Sequence, residues 1–293
     1  MLLASFTFPL LASALNLSAL QSPAWLSAPN WRLVWADEFN GADVDPTCWA
    51  PFTERSGNNP DDEAQRFTAS DRNHFVKDGV LTIRALRETT EVEGKVKHFS
   101  SAQLMTNKLA AWQYARFEAR IKVPKGAGYW PAFWMMPEND KYGGWPMGGE
   151  VDIMEMIGRE PNTNIAVAHY YDYRKKAHRV QHSSWVNPTP LDEAFHVYAI
   201  DWTRDGMIWS FDGQPYFQAK GWPTPPRAAK DAPYDQPFYL IVNLSVGGKW
   251  SGLPNASTPF PGDLQIDYVR VYQNGAQGPA KQCAGAASPA APT

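Results

Sequence analysis

The chain lacks the features that mark several large protein classes. It has 2 cysteines in 293 residues, 6 scattered histidines and a net charge of −3. No CxxC pair occurs, so neither a zinc cluster nor a thioredoxin-like redox centre is encoded. No HExxH or other paired histidine spacing occurs either, which excludes a metalloprotease-type helix and leaves His74, His98, His178, His182 and His196 without an assigned role. Near-neutral charge without a long basic run excludes a general nucleic-acid binder. A GxSxG elbow and a glycine-rich phosphate loop are both missing, which removes the serine-hydrolase and P-loop classes. There is no strong amphipathic helical pattern of useful length, and no apolar run reaches the roughly 20 residues of a membrane span.

What the chain does have is aromatic residues and period-2 alternation. There are 13 Trp, 12 Tyr and 14 Phe, and 44% of residues are hydrophobic against 19% charged. Such a chain can bury a sizeable core. Flat rings also stack on the apolar faces of sugars, although large β cores collect them as well. In "YARFEARIKVP", Phe117, Ala119, Ile121 and Val123 alternate with Glu118, Arg120 and Lys122, as in a sheet with one wet face. Asp78-Gly79, Asp205-Gly206 and Asp212-Gly213 separate apolar runs and predict hairpins. "FYLIVNLSVGG" and "LQIDYVRVYQ" read as buried late strands. Many short strands with turns at close spacing predict an all-β sandwich or barrel, and no composition shift breaks residues 30–273.

The ends read differently. Residues 1–22 are apolar, and "ASA" at Ala12 to Ala14 fits a small-residue cleavage site, so a secretory leader and a secreted product are expected. Residues 274–293 are small and proline-rich and read as a loose tail apart from Cys283. Cys48 and Cys283 lie near opposite ends of the folded part; a disulfide between them and two free thiols are both compatible with the sequence. Asn16, Asn243 and Asn255 match the glycosylation sequon.

The stretch "EVDIME" places three carboxylates in an apolar strand. Strict alternation puts Glu150 and Asp152 on one face and sends Glu155 into the core, where an unpaired carboxylate is costly. A β-bulge at Ile153-Met154 resolves this, because one extra residue re-aims everything after it. Glu150, Asp152 and Glu155 then share a face, flanked by Gly148-Gly149 and Gly158. Like charges this close raise at least one pKa. Glycoside hydrolysis uses two carboxyl groups in different protonation states. In that reading Glu150 is the ionised nucleophile, Glu155 the protonated acid, and Asp152 orients Glu150. A surface strand with solvated acids is the alternative, but Trp130, Trp134 and Trp145 lie close by in sequence, which suits a sugar cleft better.

"GGEVDIMEMIG" resembles the active-site signature of glycoside hydrolase family 16 in its bulged form. "VWADEFNG", "GVLTIRA", "YARFEARIKVPKGAGYWPAFWMMP", "FHVYAIDWTRDGMIWSFDGQPYF" and "FYLIVNLSVGGKWSG…DYVRVYQ" resemble its other blocks in the right order, over about residues 30–273. The resemblance implies a concanavalin-like β-jelly roll of two curved antiparallel sheets with a concave substrate cleft, and retaining endo-hydrolysis of β-1,3-glucan. It makes Glu150 the nucleophile, Asp152 the helper and Glu155 the acid/base. Substrate contacts fall on Asn59 (Asn58 in the other register), Trp130, Trp134, Trp145, His169 and Trp250. No catalytic cofactor is implied. A structural calcium is, through Glu38, the Gly79 carbonyl and Asp267, with an ordinary solvated acid as the alternative for Glu38. The expected partner is a polysaccharide, met by a monomer away from membranes and nucleic acid.

The sequence departs from this pattern in places. "WPMGGE" has Met147 where a polar residue is usual, and Gln103 stands where Arg is common. "YYDYRKKAHRVQHSSW" reads as a basic, solvated loop rather than a glycine-rich one. These changes leave the chemistry intact and keep other substrates open: mixed-linkage glucan, agarose or carrageenan. A non-catalytic glucan-binding module on the same sandwich is the competing class, though such a module would lack one or both glutamates.

Overall fold

The computed structural model describes residues 30–53, 62–92 and 94–283; Asn59 and the leader at 1–22 lie outside them. The described residues form strands and turns and contain no helix. In chain order the strands are β1 (Trp31–Asp37), β2 (Ala50–Pro51), β3 (Gln65–Phe67), β4 (His74–Lys77), β5 (Val80–Val92), β6 (Lys95–Ser101), β7 (Gln103–Met105), β8 (Ala115–Lys122) and β9 (Tyr129–Pro137). They continue with β10 (Glu150–Glu155), β11 (Thr163–Asp172), β12 (Ala177–Val186), β13 (His196–Thr203), β14 (Gly206–Phe211), β15 (Gln214–Ala219), β16 (Phe238–Val246), β17 (Gly262–Asn274) and β18 (Lys281–Gln282).

Two sheets pack face to face as a β-jelly roll. One runs β15-β14-β13-β8-β17-β5-β6-β3, with β1 and β4 attached to β17 and β5, and β18 to β1. The other runs β12-β11-β10-β9-β16-β7-β2. Pairing is antiparallel except for β1 with β18 and β3 with β6. Local chemistry explains the hairpins. Asp78 (φ 53°) and Gly79 (φ 75°) turn β4 into β5 with Lys77 opposite Val80; positive φ at both positions is what a two-residue hairpin turn needs. Strand β8 alternates strictly, burying Phe117, Ala119 and Ile121.

The core lies between the sheets. Trp35, Trp49, Trp202 and Trp209 are fully buried in it with Tyr129, Phe117, Phe133 and Phe238, and burying each such side chain contributes roughly 1.5–3 kcal/mol. Part of the tryptophan excess is therefore structural.

The structure corrects three expectations. The basic stretch 170–185 is a hairpin, with β11 and β12 paired from Thr163↔Val186 to Asp172↔Ala177. Its cations gather on the connecting turn, where the backbone N–H groups of Arg174 and Lys175 donate to Asp172 Oδ1. The tail is ordered through Cys283, because β18 pairs with β1 and Cys283 is disulfide-bonded to Cys48. Strand β17 alternates between buried and half-exposed residues instead of being buried throughout.

Candidate active site

Strand β10 lies inside the seven-stranded sheet, and its register breaks on both sides. Against β9, Asp152 opposes Trp134 and Met154 opposes Phe133, two residues facing one step. Against β11, the pairing passes from Asp152↔Val167 to Glu155↔Ile165. One residue is surplus, and the strand changes phase there. Val151, Ile153 and Met154 all join the core, while Glu150, Asp152 and Glu155 share the outer face. The glycines admit this path. Gly149 has φ 85°, where a Cβ would meet Tyr234 at 2.9 Å, and a Cβ on Gly158 would meet the Gly126 carbonyl at 1.8 Å.

A bulge strands a backbone carbonyl, and a buried one needs a partner. Here the indole Nε1 of Trp209, on β14 of the opposite sheet, donates to the Asp152 carbonyl at 2.9 Å. In the sequence "MIWSF" is only an apolar run between two DG turns, and nothing local marks that role.

Side chains from neighbouring strands surround the acids. Trp130 Nε1 on β9 donates to Glu155 Oε1 at 2.9 Å. Trp250 meets the Trp130 ring edge-on, centroids 5.0 Å apart, and its carbonyl accepts from the Arg159 guanidinium. Trp134 Nε1 donates to Asn243 Oδ1 at 2.7 Å. Asn243, matched to a glycosylation sequon, is thus buried beneath the cleft and closed to modification. His169, opposite Glu150 in the register, places Nε2 3.1 Å from Asp152 Oδ2 and 3.9 Å from Glu150 Oε1. Half-exposed Trp145 hydrogen-bonds Glu150 and leans on His169 and His178. The structure therefore gathers Trp130, Trp134, Trp145, His169 and Trp250 around the three carboxylates.

The electrostatics follow from this crowding. Burial, then the Asp152 charge, push Glu150 above the ordinary carboxylate range, against the pull of His169 and the Trp145 hydrogen bond. Burial, then Asp152, push Glu155 well above it, against His169 and Trp130. Burial works to lower His169, but Glu150, Asp152 and Glu155 outweigh it and raise its pKa to about 9.

Two donor clusters in the described residues have metal-like spacing. In the first, Asp45 neighbours Cys48 and Cys283, whose sulfurs are bonded to each other. In the second, ligand atoms of Glu150, Asp152 and His169 lie within 4.8 Å of one another. The expected calcium residues do not fit a cage of free oxygens. Glu38 is held by the Arg270 guanidinium at 2.7 and 2.9 Å, and Asp267 by Arg120 at 2.7 Å.

The Glycosyl hydrolases family 16 model matches residues 62–270. The chain is 38% identical over 271 residues to a beta-glucanase of Rhodothermus marinus, covering 90% of this chain and 93% of the relative. It is 36% identical over 255 residues to a glucan endo-1,3-beta-glucosidase of Cryptopygus antarcticus, covering 85% and 89%. Its structure is similar to the endo-beta-1,3-glucanase of Pyrococcus furiosus, with a TM-score of 0.74 and 34% identity over 86% of this chain and 97% of the other.

Proposed function

The chain belongs to glycosyl hydrolase family 16, and from that premise we propose that it is a secreted, retaining endo-β-1,3-glucanase in which Glu150, Asp152 and Glu155 carry the chemistry. The observation that bears most of this reading is the β10 bulge, which turns three carboxylates to one face amid Trp130, Trp134, Trp145 and Trp250. Three acids beside one imidazolium cannot all ionise. Glu155, most of whose surroundings favour the neutral acid, holds the proton that the departing glycosidic oxygen needs. Glu150 keeps 18% side-chain exposure, so it reaches the cleft while His169 offsets its charge.

The steps then follow. Glu150 attacks the anomeric carbon as the bond to the leaving oxygen breaks, and Glu155 gives its proton to that oxygen. Esterification removes the Glu150 charge, which weakens the pull on the Glu155 proton. Glu155 is then the base for the incoming water, which displaces Glu150 with a second inversion. Asp152, fixed by His169 and by the bulge carbonyl held from Trp209, keeps Glu150 aimed.

Secretion agrees with the Cys48–Cys283 disulfide, which persists in oxidising compartments. No helix of the described residues is long and apolar enough to cross a membrane. The test is reducing-end release from laminarin, mixed-linkage glucan, agarose and carrageenan, with the anomer of the first product read by NMR. Laminarin cleavage giving the β-anomer, abolished in Glu150→Ala, is expected. Undiminished release by that variant, or an α-anomer formed first, would defeat the proposal.

A further inference from the structure

Beyond the three carboxylates, two histidines on neighbouring strands meet. His169 Nδ1 on β11 lies 2.9 Å from His178 Nε2 on edge strand β12. The ring planes differ by 8° with centroids 5.1 Å apart. With nitrogens in contact, that separation sets the rings edge to edge in nearly one plane, the geometry of an N–H···N hydrogen bond and not of face-on stacking. Trp145 covers the pair, with its centroid 4.7 Å from His178. Tyr171 opposes His178 and Val180 opposes His169, so both imidazoles project from the face that carries Glu150.

Only one proton fits between the two nitrogens. On its far side, His169 Nε2 lies 3.1 Å from Asp152 Oδ2, a buried oxygen with no hydrogen-bond partner, and 3.9 Å from Glu150 Oε1. Carboxylates accept only, so Nε2 carries a proton. The groups facing the pair are Glu150, Asp152 and Glu155 from β10, Tyr171 across the hairpin, Arg179 beside His178, and Tyr234, whose hydroxyl donates to the His169 carbonyl at 2.6 Å. The acids on the His169 side, with Glu150 and Asp152 nearest, make that ring the cation. His178 is held neutral, its pKa lowered to about 4 by burial, then by His169 and Arg179.

We infer that His178 is a positioning residue for the glycosidase centre: its Nε2 accepts the Nδ1 proton of His169 and holds that ring as a two-way donor aimed at Asp152 and Glu150. The inference rests on the hydrolytic reading of β10, not on which glucan is cut. The charge so held beside Glu150 favours the ionised nucleophile. His178 touches neither sugar nor reacting atoms in this role.

Ring-nitrogen NMR on the full chain tests it. Wild type near pH 7.5 is expected to show His169 protonated at both nitrogens and His178 neutral with its proton on Nδ1. In His178→Ala, His169 should titrate about one pH unit lower, and kcat near neutrality should fall on the order of tenfold with KM changed less than about twofold. The alkaline limb of the kcat/KM profile should move to higher pH, because His169 loses its charge earlier there and no longer holds the glutamates down, while the acid limb, where His169 is protonated in both proteins, should stay. His178→Gln offers a carbonyl at the same point and should restore all three readouts. A neutral His169 in wild type overturns the inference, as does a folded alanine variant with unmoved His169 titration and an unmoved alkaline limb. A Gln variant indistinguishable from Ala also overturns it. The wild-type measurement decides even if the alanine variant does not fold. Failure of the hydrolase reading is seen separately, as absence of cleavage by wild type on every glucan tried.

Discussion

Trp209 crosses the core from one sheet to the other and donates its indole proton to the backbone carbonyl of Asp152, 2.9 Å away. The bond satisfies the carbonyl at the very bulge that aims the acids, so it joins packing to the proposed chemistry. Trp209→Phe keeps most of the ring volume and removes the donor. Leaving that carbonyl buried and unpaired costs about 1–3 kcal/mol, and each kcal/mol lowers Tm by roughly 2–4 °C in a domain of this size. Thermal denaturation should show that loss, and laminarin kinetics should show kcat reduced more than KM is raised. A lowered Tm with untouched kcat would mean that the bulge holds its shape without this bond.

That contact also marks where the sequence stops being readable. Alternation in β8 and the DG turns is local, so strands and hairpins were legible there. The bulge was legible because Glu155 could not stay in phase with Val151 without a buried charge. The partners were not. Trp209 lies 57 positions from Asp152 and meets it only once the sheets close. Asn243 carried a sequon, and only the register of β16 against β9 places it under Trp134. His178 lacked a metal-like spacing and was passed over, since its partner is set by hairpin pairing. The β11–β12 hairpin was missed because β12, half-exposed along its length, shows no apolar face. The sequence allowed the Cys48–Cys283 bond, but the short strand β18 beside it was not legible, because its partner β1 lies at the other end of the folded chain.

Glu155→Ala separates the two chemical roles. The variant should still bind laminarin, through the aromatic residues, and should hydrolyse natural linkages at least a hundredfold more slowly, within the roughly 10²–10⁴-fold that a general acid supplies. An aryl β-glucoside of laminaribiose with an activated leaving group needs no proton donor, so glycosylation of Glu150 should be retained. Added azide should then restore turnover and give a β-glycosyl azide, identified by NMR. An α-azide would mean that no Glu150 ester had formed.

The disulfide closes a long loop, and its loss should be felt mainly as stability. Replacing both Cys48 and Cys283 by Ser frees the ordered tail, including β18, from β1. A disulfide contributes about 2–4 kcal/mol, so Tm should drop by roughly 5–15 °C. Neither cysteine lies among the cleft residues, so laminarin kcat at room temperature should match wild type. A matched Tm would show that β1–β18 pairing alone secures the tail.

The buried acids of the β10 site should also make the protein less stable as pH rises. The folded state raises Glu155 well above its ordinary 4.5, so it binds the proton more tightly than the unfolded chain does. Stability from this group is therefore greatest at low pH and declines as pH climbs past 4.5 toward the folded value. His169 acts in the same sense: raised from 6.5 to about 9, its contribution is complete below 6.5 and is lost as pH rises through 9. Glu155→Gln removes the first term and keeps an oxygen to accept from Trp130 Nε1. Tm measured from about pH 4.5 to 9 should fall less steeply in the variant, with little difference at the acid end and the variant more stable at the alkaline end. Part of that gain is offset where Glu155 ionises, toward alkaline pH, because ionised Glu155 is one of the charges that raise His169. Parallel curves would mean that Glu155 ionises in the fold as easily as in water, and the proton that the proposed mechanism gives to the leaving oxygen would then be absent at neutral pH.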